Sequence, residues 1–301
     1  MQNVLRIARF EDGKVRNRAI GAGIVPVAKR HDGTLVLLLA KEQHISNWKG
    51  SCKWSGFEGG RKQNESIEDT ACREWREESL TIIAGVEQAL RAGDYVCRYT
   101  LNILQNRPQM ARSTESDRYH VTYVVEVPYS NDYIYAFERK RAQLIEVQGA
   151  ASAWQSSLRA LVSEPILEMD LDRDGQCVVV HLASHTIHLC TPHLLDAHRT
   201  LCAAVEAIRD DECISVQYSP NGVLLDVIIN RDFLEKECIA WWTLSDARAV
   251  LKNGGRIHDQ SFRTYFLPVL LGIVSQLEDL ESSTCRPCEP CVVSSNANPH
   301  L

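Results

Sequence analysis

The apolar positions in the first half of the chain form short runs, which is typical of β-strands. Ala19–Lys29 and Thr34–Lys41 flank a His-Asp-Gly turn and therefore predict a hairpin. Tyr119–Val127 is a third strong run and ends at a proline. Leu80–Ala89 and Tyr95–Leu104 are weaker apolar runs that we also interpret as strands.

Helical patterns alternate with these runs. Ser66–Ser79 contains no glycine or proline and is dense in charge, and Ser66 with the aspartate three residues later is a capping pair. Asp132–Val147, His193–Arg209 and Leu267–Leu280 have a similar helical character. The fold class predicted from this alternation is α/β.

The second half of the chain differs in texture. The segment near 149–219 is rich in clustered histidines and contains a predicted hairpin at Asp172–Gly175, followed by an apolar strand at Gly222–Asn230. We interpret that segment as an insertion in one domain spanning residues 1–281. Residues 282–301 are rich in Ser, Pro, Cys and Asn, and we expect a disordered tail.

Composition narrows the protein class. The chain has 301 residues, is 45% hydrophobic and carries a net charge of -6, so a large core is expected and non-specific nucleic-acid binding is not. No apolar run approaches the roughly 18–20 residues of a membrane span. Eleven cysteines at irregular spacing, with no secretory signal, predict reduced thiols and a cytoplasmic protein, with a nuclear location as the alternative.

The predicted helix after Ser66 carries three glutamates close together. At 100° per residue, Glu74, Glu77 and Glu78 fall within roughly a 100° arc. Like charges on one helix face weaken the helix, so folding does not require them, whereas Mg²⁺ and Mn²⁺ select carboxylate oxygens. Glu65, just before the helix, adds a fourth carboxylate.

Neighbouring residues support a site on this helix. Gly59 and Gly60 allow close backbone approach and offer carbonyl groups to a metal. Arg73 is placed to orient a carboxylate. The alternative is a solvated acidic face on which Arg73 and Arg76 form ordinary ion pairs with their helix neighbours.

These residues resemble the Nudix box, Gx5Ex7REUxEExGU with U apolar, at Gly59, Glu65 and Arg73–Glu78. The resemblance implies a Nudix-like α/β/α sandwich with a mixed sheet, here with an insertion in the second half. It also implies a pyrophosphohydrolase that depends on Mg²⁺ or Mn²⁺. Leu80 replaces the box glycine, where a left-handed backbone is strained for leucine by about 1 kcal/mol.

The resemblance also assigns roles to individual residues. It implies metal ligands at Gly59, Glu65, Glu74, Glu77 and Glu78, and an orienting role for Arg73. A general base outside the helix is common in such enzymes, and Glu126 and Glu237 are the two candidates, between which the sequence does not choose.

Substrate contacts are expected near the same loop. Arg61 and Lys62 lie inside it and Lys41 ends the preceding strand, so all three are candidate phosphate contacts. Four tryptophans offer either a stacking face or core packing: Trp48, Trp54, Trp241 and Trp242.

The implied substrate is a small-molecule nucleoside diphosphate linked to another group, with an RNA cap or a diphosphoinositol phosphate as alternatives. The rival hypothesis is a catalytically weak Nudix-fold module that binds a nucleotide or a protein. Neither the leaving group nor the oligomeric state follows from the sequence.

Two cysteine and histidine clusters are weaker signals. The cluster between His181 and His193 has zinc-like spacing, but its predicted strands would place alternate residues on opposite faces. Cys285, Cys288 and Cys291 in the tail lack a fourth nearby ligand.

Overall fold

The computed structural model describes residues 18–102, 118–172, 174, 176–208, 212–219 and 223–284. Its strands are β1 (Ala19–Lys29), β2 (Leu35–Glu42), β3 (Trp54–Ser55), β4 (Phe57–Gly60), β5 (Cys97–Asn102), β6 (Tyr119–Glu126), β7 (Ile166–Leu171), β8 (Val178–Leu182), β9 (Thr186–Leu189), β10 (Ile214–Tyr218), β11 (Leu224–Ile229), β12 (Lys236–Thr243), β13 (Arg256–Ile257) and β14 (Gln260–Ser261). Its helices are α1 (Ile67–Ser79), α2 (Val86–Ala92), α3 (Asp132–Leu161), α4 (Pro192–Glu206), α5 (Leu244–Lys252) and α6 (Phe266–Thr284), and Arg231–Leu234 is a 3-10 turn.

A mixed seven-stranded sheet runs through the centre of the fold. Its order is β12-β2-β1-β6-β5, with β3 paired to β2 and β4 paired to β1. The β1–β6 pair is parallel and the others are antiparallel. Residues 21–24 of β1 pair with β4, whereas residues 27–29 pair with β2. The loop that begins at the end of β4 therefore lies beside the first half of β1.

Each face of this sheet is covered by helices. Side chains alternate along β1, so that Ile24 joins a core with Trp75 of α1, while Val25 joins a second core with Phe266 of α6. In α6, Gly272 lies so close to Tyr99 of β5 that any side chain there would overlap its ring. The structure confirms the predicted α/β/α sandwich with a mixed sheet.

The elements between β6 and β12 form additional layers. In the described part of the chain, none of them adds a strand to the central sheet: β7, β8 and β9 form their own sheet, and β10 pairs with β11. The helix α3 has 30 residues, so the predicted insertion boundary at 149 lies inside a helix. Arg141 Nε of α3 donates a 2.7 Å hydrogen bond to the carbonyl of Lys236, so this helix supports the start of β12.

One predicted strand is wrong. Residues 80–89 do not form a strand, because Leu80 and Thr81 both adopt left-handed backbone angles, with φ of 56°. Gly85, with φ of 85°, then starts the helix α2. Several apolar residues of this run are buried although they lie in a turn and a helix. A linear apolar pattern does not distinguish this arrangement from a buried strand.

The predicted thiols and tail also differ from the structure. Cys177 and Cys190 form a disulfide, so the expectation that all cysteines are reduced is wrong at this pair. The helix α6 continues to Thr284, three residues into the predicted tail. The rest of the tail, with its three cysteines, lies outside the described residues. No helix in the described ranges combines the length and apolar composition that a membrane crossing requires.

Candidate active site

The helix α1 is fixed at its start and along one side. Ser66 Oγ accepts a 3.0 Å hydrogen bond from the backbone N–H of Asp69 and donates one of 2.7 Å to its carboxylate, which is the predicted cap. Ile67, Ala71 and Trp75, spaced four residues apart, face the core. The glutamates lie on the neighbouring stripe, toward β4 and β12.

These glutamates are not solvated. Glu74, Glu77 and Glu78 are 7%, 7% and 3% exposed. Removing an unpaired carboxylate from water costs several kcal/mol, so each of them requires partners. The alternative of an ordinary exposed acidic face is therefore excluded.

Arg73 supplies partners for three carboxylates. Its Nη1 donates 2.7 Å hydrogen bonds to Glu74 Oε1 and to Glu77 Oε2. Its Nε lies 2.6 Å from Glu65 Oε1, and its Nη2 lies 2.7 Å from the carbonyl oxygen of Gly60. The guanidinium thus links the helix to the loop before it and fixes the orientation of each carboxylate.

Glu65 is fully engaged in this network. Its Oε2 also accepts hydrogen bonds from Lys62 N at 2.9 Å and Thr70 Oγ1 at 3.1 Å. The hydrogen bonds from Arg73 are the largest cause that lowers the pKa of Glu65, to about 2. Glu65 therefore orients Arg73 as a permanent carboxylate.

Glu74 lies directly against the backbone of Gly59. A Cβ atom on Gly59 would overlap the Glu74 carboxyl group, so any other residue here would have to displace that carboxyl group. Burial raises the pKa of Glu74 to about 7, and although Arg73 opposes this, the charges of Glu77 and Glu235 add to it. A pKa near neutrality from burial and like charges is typical of functional carboxylates.

Lys62 lies beside Glu77 at the outer edge of the cluster. Its Nζ is 3.3 Å from Glu77 Oε1 and 3.6 Å from Asp232 Oδ2, and its side chain is 56% exposed. Arg61 points instead toward the chain itself, since its Nε donates a 2.7 Å hydrogen bond to the carbonyl of Glu65. Of these two predicted phosphate contacts, Lys62 is the one beside the glutamates.

Glu78 belongs to a separate, buried group. Its Oε1 is 2.9 Å from Lys236 Nζ, and its Oε2 accepts a 2.6 Å hydrogen bond from the backbone N–H of Glu58. Lys236 Nζ is also 2.7 Å from Glu42 Oε1, which in turn is 2.7 Å from Arg263 Nη1. We call Glu42, Glu78, Lys236 and Arg263 the inner cluster.

Lys236 stays protonated in this cluster. Its side chain is 1% exposed, and burial alone would favour the neutral amine. The carboxylates of Glu78 and Glu42 outweigh that effect, so the pKa of Lys236 is raised. Both oxygens of Glu78 face hydrogen-bond donors, and although burial raises the pKa of this carboxyl, the Lys236 ammonium opposes that effect.

The two predicted general bases are exposed residues of β6 and β12. Glu126 is exposed and pairs with Val27, five residues along β1 from Ala22, the partner of Gly59. At about 3.3 Å per residue along β1 and two strand spacings of about 4.8 Å across it, this places Glu126 roughly 19 Å from Gly59. Glu237 occupies a register shift of β12, is 43% exposed, and lies 3.7 Å from Lys41.

The four tryptophans divide between packing and exposure. Trp54 and Trp242 contact each other edge to face, with ring centroids 5.2 Å apart, in the second core. Trp241 points to the opposite side and donates to the carbonyl of Ser130. Trp48 is 37% exposed and has the Arg263 guanidinium 5.2 Å from its ring centroid.

Sequence reasoning missed several charged residues of the site. Glu42 and Lys236 end and begin strands that read as apolar, and no spacing rule links them to α1. Glu235 was also missed: it is exposed, yet desolvation raises its pKa, and the charges of Glu42, Asp232 and Glu77 add to this. The signal available in the sequence was the Glu-Lys-Glu run before an apolar strand.

Glu74 and Glu77 offer the donors that a hard divalent cation prefers. Arg73 binds one oxygen of each carboxylate, so each has a second oxygen directed away from Arg73. Four carboxylates, including Glu65 and Asp232, here surround the two cations Arg73 and Lys62. Among the described residues, no three His, Cys, Asp or Glu side chains already converge as a complete ligand set. The residues fit a metal held by two carboxylates.

Among known proteins, this chain is similar to several solved structures. No family model matches the chain, and none of the curated proteins does. A C. elegans Ap4A hydrolase is 17% identical over 38% of this chain and 72% of its own, with a TM-score of 0.25. The NUDIX domain of Shewanella oneidensis NrtR, complexed with ADP ribose, is 18% identical over 43% and 73%, with a TM-score of 0.25. The M. smegmatis Nudix hydrolase RenU is 11% identical over 90% and 89%, with a TM-score of 0.34.

Proposed function

We propose that this chain hydrolyses a pyrophosphate bond in a nucleoside diphosphate linked to another group, using Mg²⁺ or Mn²⁺ held by Glu74 and Glu77. The observation that carries this proposal is the pair of buried carboxylates that Arg73 orients and that lie beside the Gly59 backbone. A divalent ion, when bound there, neutralises phosphate charge and polarises phosphoryl oxygens.

The residues of the chain itself bind and orient the substrate. Lys62 presents an exposed ammonium group beside Glu77, where it can bind a phosphate oxygen. Arg73 holds both carboxylates in one geometry, which reduces the reorganisation needed when substrate binds. Trp48 supplies an exposed ring near Arg263, which we assign as a surface for an aromatic group of the substrate.

Glu235 is the proton acceptor that best fits this site. Glu235 directly follows the 3-10 turn Arg231–Leu234, which packs against α1, and we assign its carboxylate to the side of α1 that carries Glu74 and Glu77. Glu235 is exposed at the surface, but desolvation by the surrounding residues is the first cause that raises its pKa, which brings the carboxylate closer to the range in which a base works at neutral pH. We do not propose as the base Glu126, which pairs with Val27 far along β1, or Glu237, whose carboxylate lies 3.7 Å from Lys41.

Turnover of a diphosphate panel tests the proposal. The panel contains dinucleoside polyphosphates, nucleoside diphosphate sugars, a capped RNA and a diphosphoinositol phosphate, each with Mg²⁺, Mn²⁺ or a chelator. We expect turnover with metal and its loss in Glu77→Gln. Glu87→Gln is the matched control, because Glu87 pairs with Arg76 at 3.3 Å outside the glutamate cluster.

Isotope labelling tests the reaction type. In ¹⁸O-water we expect two phosphorylated products, one of them carrying the label on a single phosphorus, and an unlabelled enzyme, because the proposed nucleophile is water and not a side chain. Label in a protein side chain would show a covalent mechanism instead. Nucleotide binding without any metal-dependent turnover across the panel would favour the binding module.

A further inference from the structure

We infer that Lys236 acts as a built-in counter-cation for Glu78, taking the place of a divalent ion there, so that Glu78 is not a metal ligand in this chain. The inference deepens the proposed function, since it limits the metal to Glu74 and Glu77. It concerns one contact: the buried ammonium 2.9 Å from Glu78 Oε1.

The contacts of Lys236 are complete. Its Nζ lies 2.7 Å from Glu42 Oε1, 2.9 Å from Glu78 Oε1 and 3.2 Å from Ser55 Oγ. An ammonium group has three donors and no acceptor, so these three contacts use all of its hydrogen-bonding capacity. The amine therefore has a fixed position between the two carboxylates.

Both oxygens of Glu78 are held by buried donors, whereas Lys62, the second partner of Glu77, is 56% exposed. Lys236 occupies one oxygen, and the 2.6 Å hydrogen bond from the Glu58 N–H occupies the other. Mg²⁺ requires ligand oxygens at about 2.0–2.1 Å in near-octahedral geometry, and a buried ammonium next to the same oxygen repels it. An ion at Glu78 would have to displace a cation that is 1% exposed.

The net charges of the inner cluster and of the outer group around Arg73 and Lys62 also favour a metal at Glu74 and Glu77. The inner cluster pairs the two cations Lys236 and Arg263 with the two carboxylates Glu42 and Glu78, and Glu58 is a third buried carboxylate near Arg263. Around Arg73 and Lys62, four carboxylates face two cations. A divalent ion therefore lowers the electrostatic energy of the outer group more than that of the inner one.

Lys236 is thus a positioning residue. It holds Glu78, and through the Glu58 N–H it holds the strand that presents Gly59 beneath Glu74. In this arrangement one fixed ammonium does the structural task that a second divalent ion would otherwise perform. The chain is expected to bind one catalytic metal at the glutamates.

Mn²⁺ binding to the full chain tests the inference. Binding is measured by EPR of free Mn²⁺ and by thermal unfolding with and without Mn²⁺. We expect Glu78→Gln to keep its Mn²⁺ affinity within about tenfold of the wild type, because a residue that does not bind the metal directly has a small effect on affinity. Glu77→Gln should lose Mn²⁺ binding. A loss in Glu78→Gln as large as that in Glu77→Gln would overturn the inference.

Removal of the ammonium provides the second arm. Lys236→Met leaves Glu42 and Glu78 without their cation, so we expect an additional Mn²⁺ site and a rise in melting temperature on adding Mn²⁺ that exceeds the wild-type rise. The double variant Lys236→Met/Glu78→Gln should lose both gains. Lys62→Met, which removes an exposed ammonium from Glu77, is the control and should gain no site.

The outcomes separate this inference from the proposed function. If the wild type binds no Mn²⁺ but Lys236→Met acquires a site that depends on Glu78, the proposed metal at Glu74 and Glu77 is wrong and the inference stands. A folded Lys236→Met without added Mn²⁺ binding would overturn it. If that variant does not fold, the Glu78→Gln result decides.

Discussion

At the scale of single residues, the position of the Glu74 carboxylate depends on the backbone at the end of β4. Gly59 and Gly60 are adjacent, but their surroundings differ. A Cβ on Gly59 would overlap the Glu74 carboxyl group, whereas a Cβ on Gly60 would meet nothing within 4 Å. These neighbours therefore form a matched pair for testing the placement of Glu74.

We expect Gly59→Ala to displace the Glu74 carboxylate and to lower metal affinity or turnover by about 10- to 100-fold. Gly60→Ala should leave both unchanged, because its added methyl group has open space. Isothermal titration with Mn²⁺ and steady-state rates measure the two variants. Equal effects in both would show that the loop backbone matters in some other way.

Leu80 combines a strained backbone with a buried side chain. Its φ of 56° and ψ of 28° are left-handed, as the resemblance to a glycine-containing motif implied, yet the side chain is 1% exposed within the first core. The strain costs about 1 kcal/mol, while removing a buried leucine costs about 2–5 kcal/mol. Burial therefore outweighs strain.

Leu80→Gly should accordingly lower the free energy of unfolding by about 2 kcal/mol or more. Thr81→Gly is the control, because Thr81 has the same φ of 56° but is exposed. We expect it to be within about 0.5 kcal/mol of neutral, or stabilising. Denaturant unfolding of both variants decides whether strain or burial dominates at this turn.

At the scale of elements, the start of α1 was predictable because its cap is local in sequence. Ser66 and Asp69 exchange hydrogen bonds within one helical turn. We expect Ser66→Ala to reduce the free energy of unfolding by about 1 kcal/mol, whereas Ser66→Asn, which retains a capping oxygen, should lose only a few tenths. Thermal and denaturant unfolding would contradict this if the two variants were equally destabilised.

Elements whose boundaries depend on distant contacts were predicted less well. The strands β1, β2 and β6 were expected from their apolar runs, and the structure has them in place. By contrast α3 continues to Leu161, where a predicted helix stopped at Val147, because its later turns pack against α4 and β11. Periodicity reports which face is buried, but not which element covers it.

The inner cluster was outside the reach of sequence reasoning for the same reason. Lys236 lies 194 residues from Glu42 in the chain, and the pattern around it predicts only the start of a strand. A lysine is almost never fully buried without a partner, so its role follows from the fold rather than from its neighbours in sequence.

At the scale of the whole molecule, two buried histidines link stability to pH. Burial lowers the pKa of His120, although Glu58 opposes this, and burial also lowers the pKa of His198, which packs against Trp154. Both are neutral in the folded chain, while the unfolded chain gains protons below about pH 6.5. Their contribution is present above that pH and is lost as the pH falls.

We therefore expect His120→Gln and His198→Gln each to flatten the fall in unfolding free energy between pH 7 and pH 5, by at most about 1.4 kcal/mol per pH unit. Glu74, with its pKa raised to about 7 by burial, acts in the opposite direction, since the folded chain binds its proton first. The histidine effect is thus measured as the difference between each variant and the wild type. Parallel curves for variant and wild type would refute it.

The position of β12 has a consequence for synthesis. β2 pairs with β12 on one side and β1 on the other, and the ammonium that neutralises Glu42 and Glu78 arrives with the first residue of β12. While the nascent chain ends before that residue, β2 is an open edge next to two uncompensated acids. Translation proceeds at about 5–20 residues per second, so this interval lasts for seconds, during which a sheet that lacks β12 at its edge is exposed to aggregation and to chaperones.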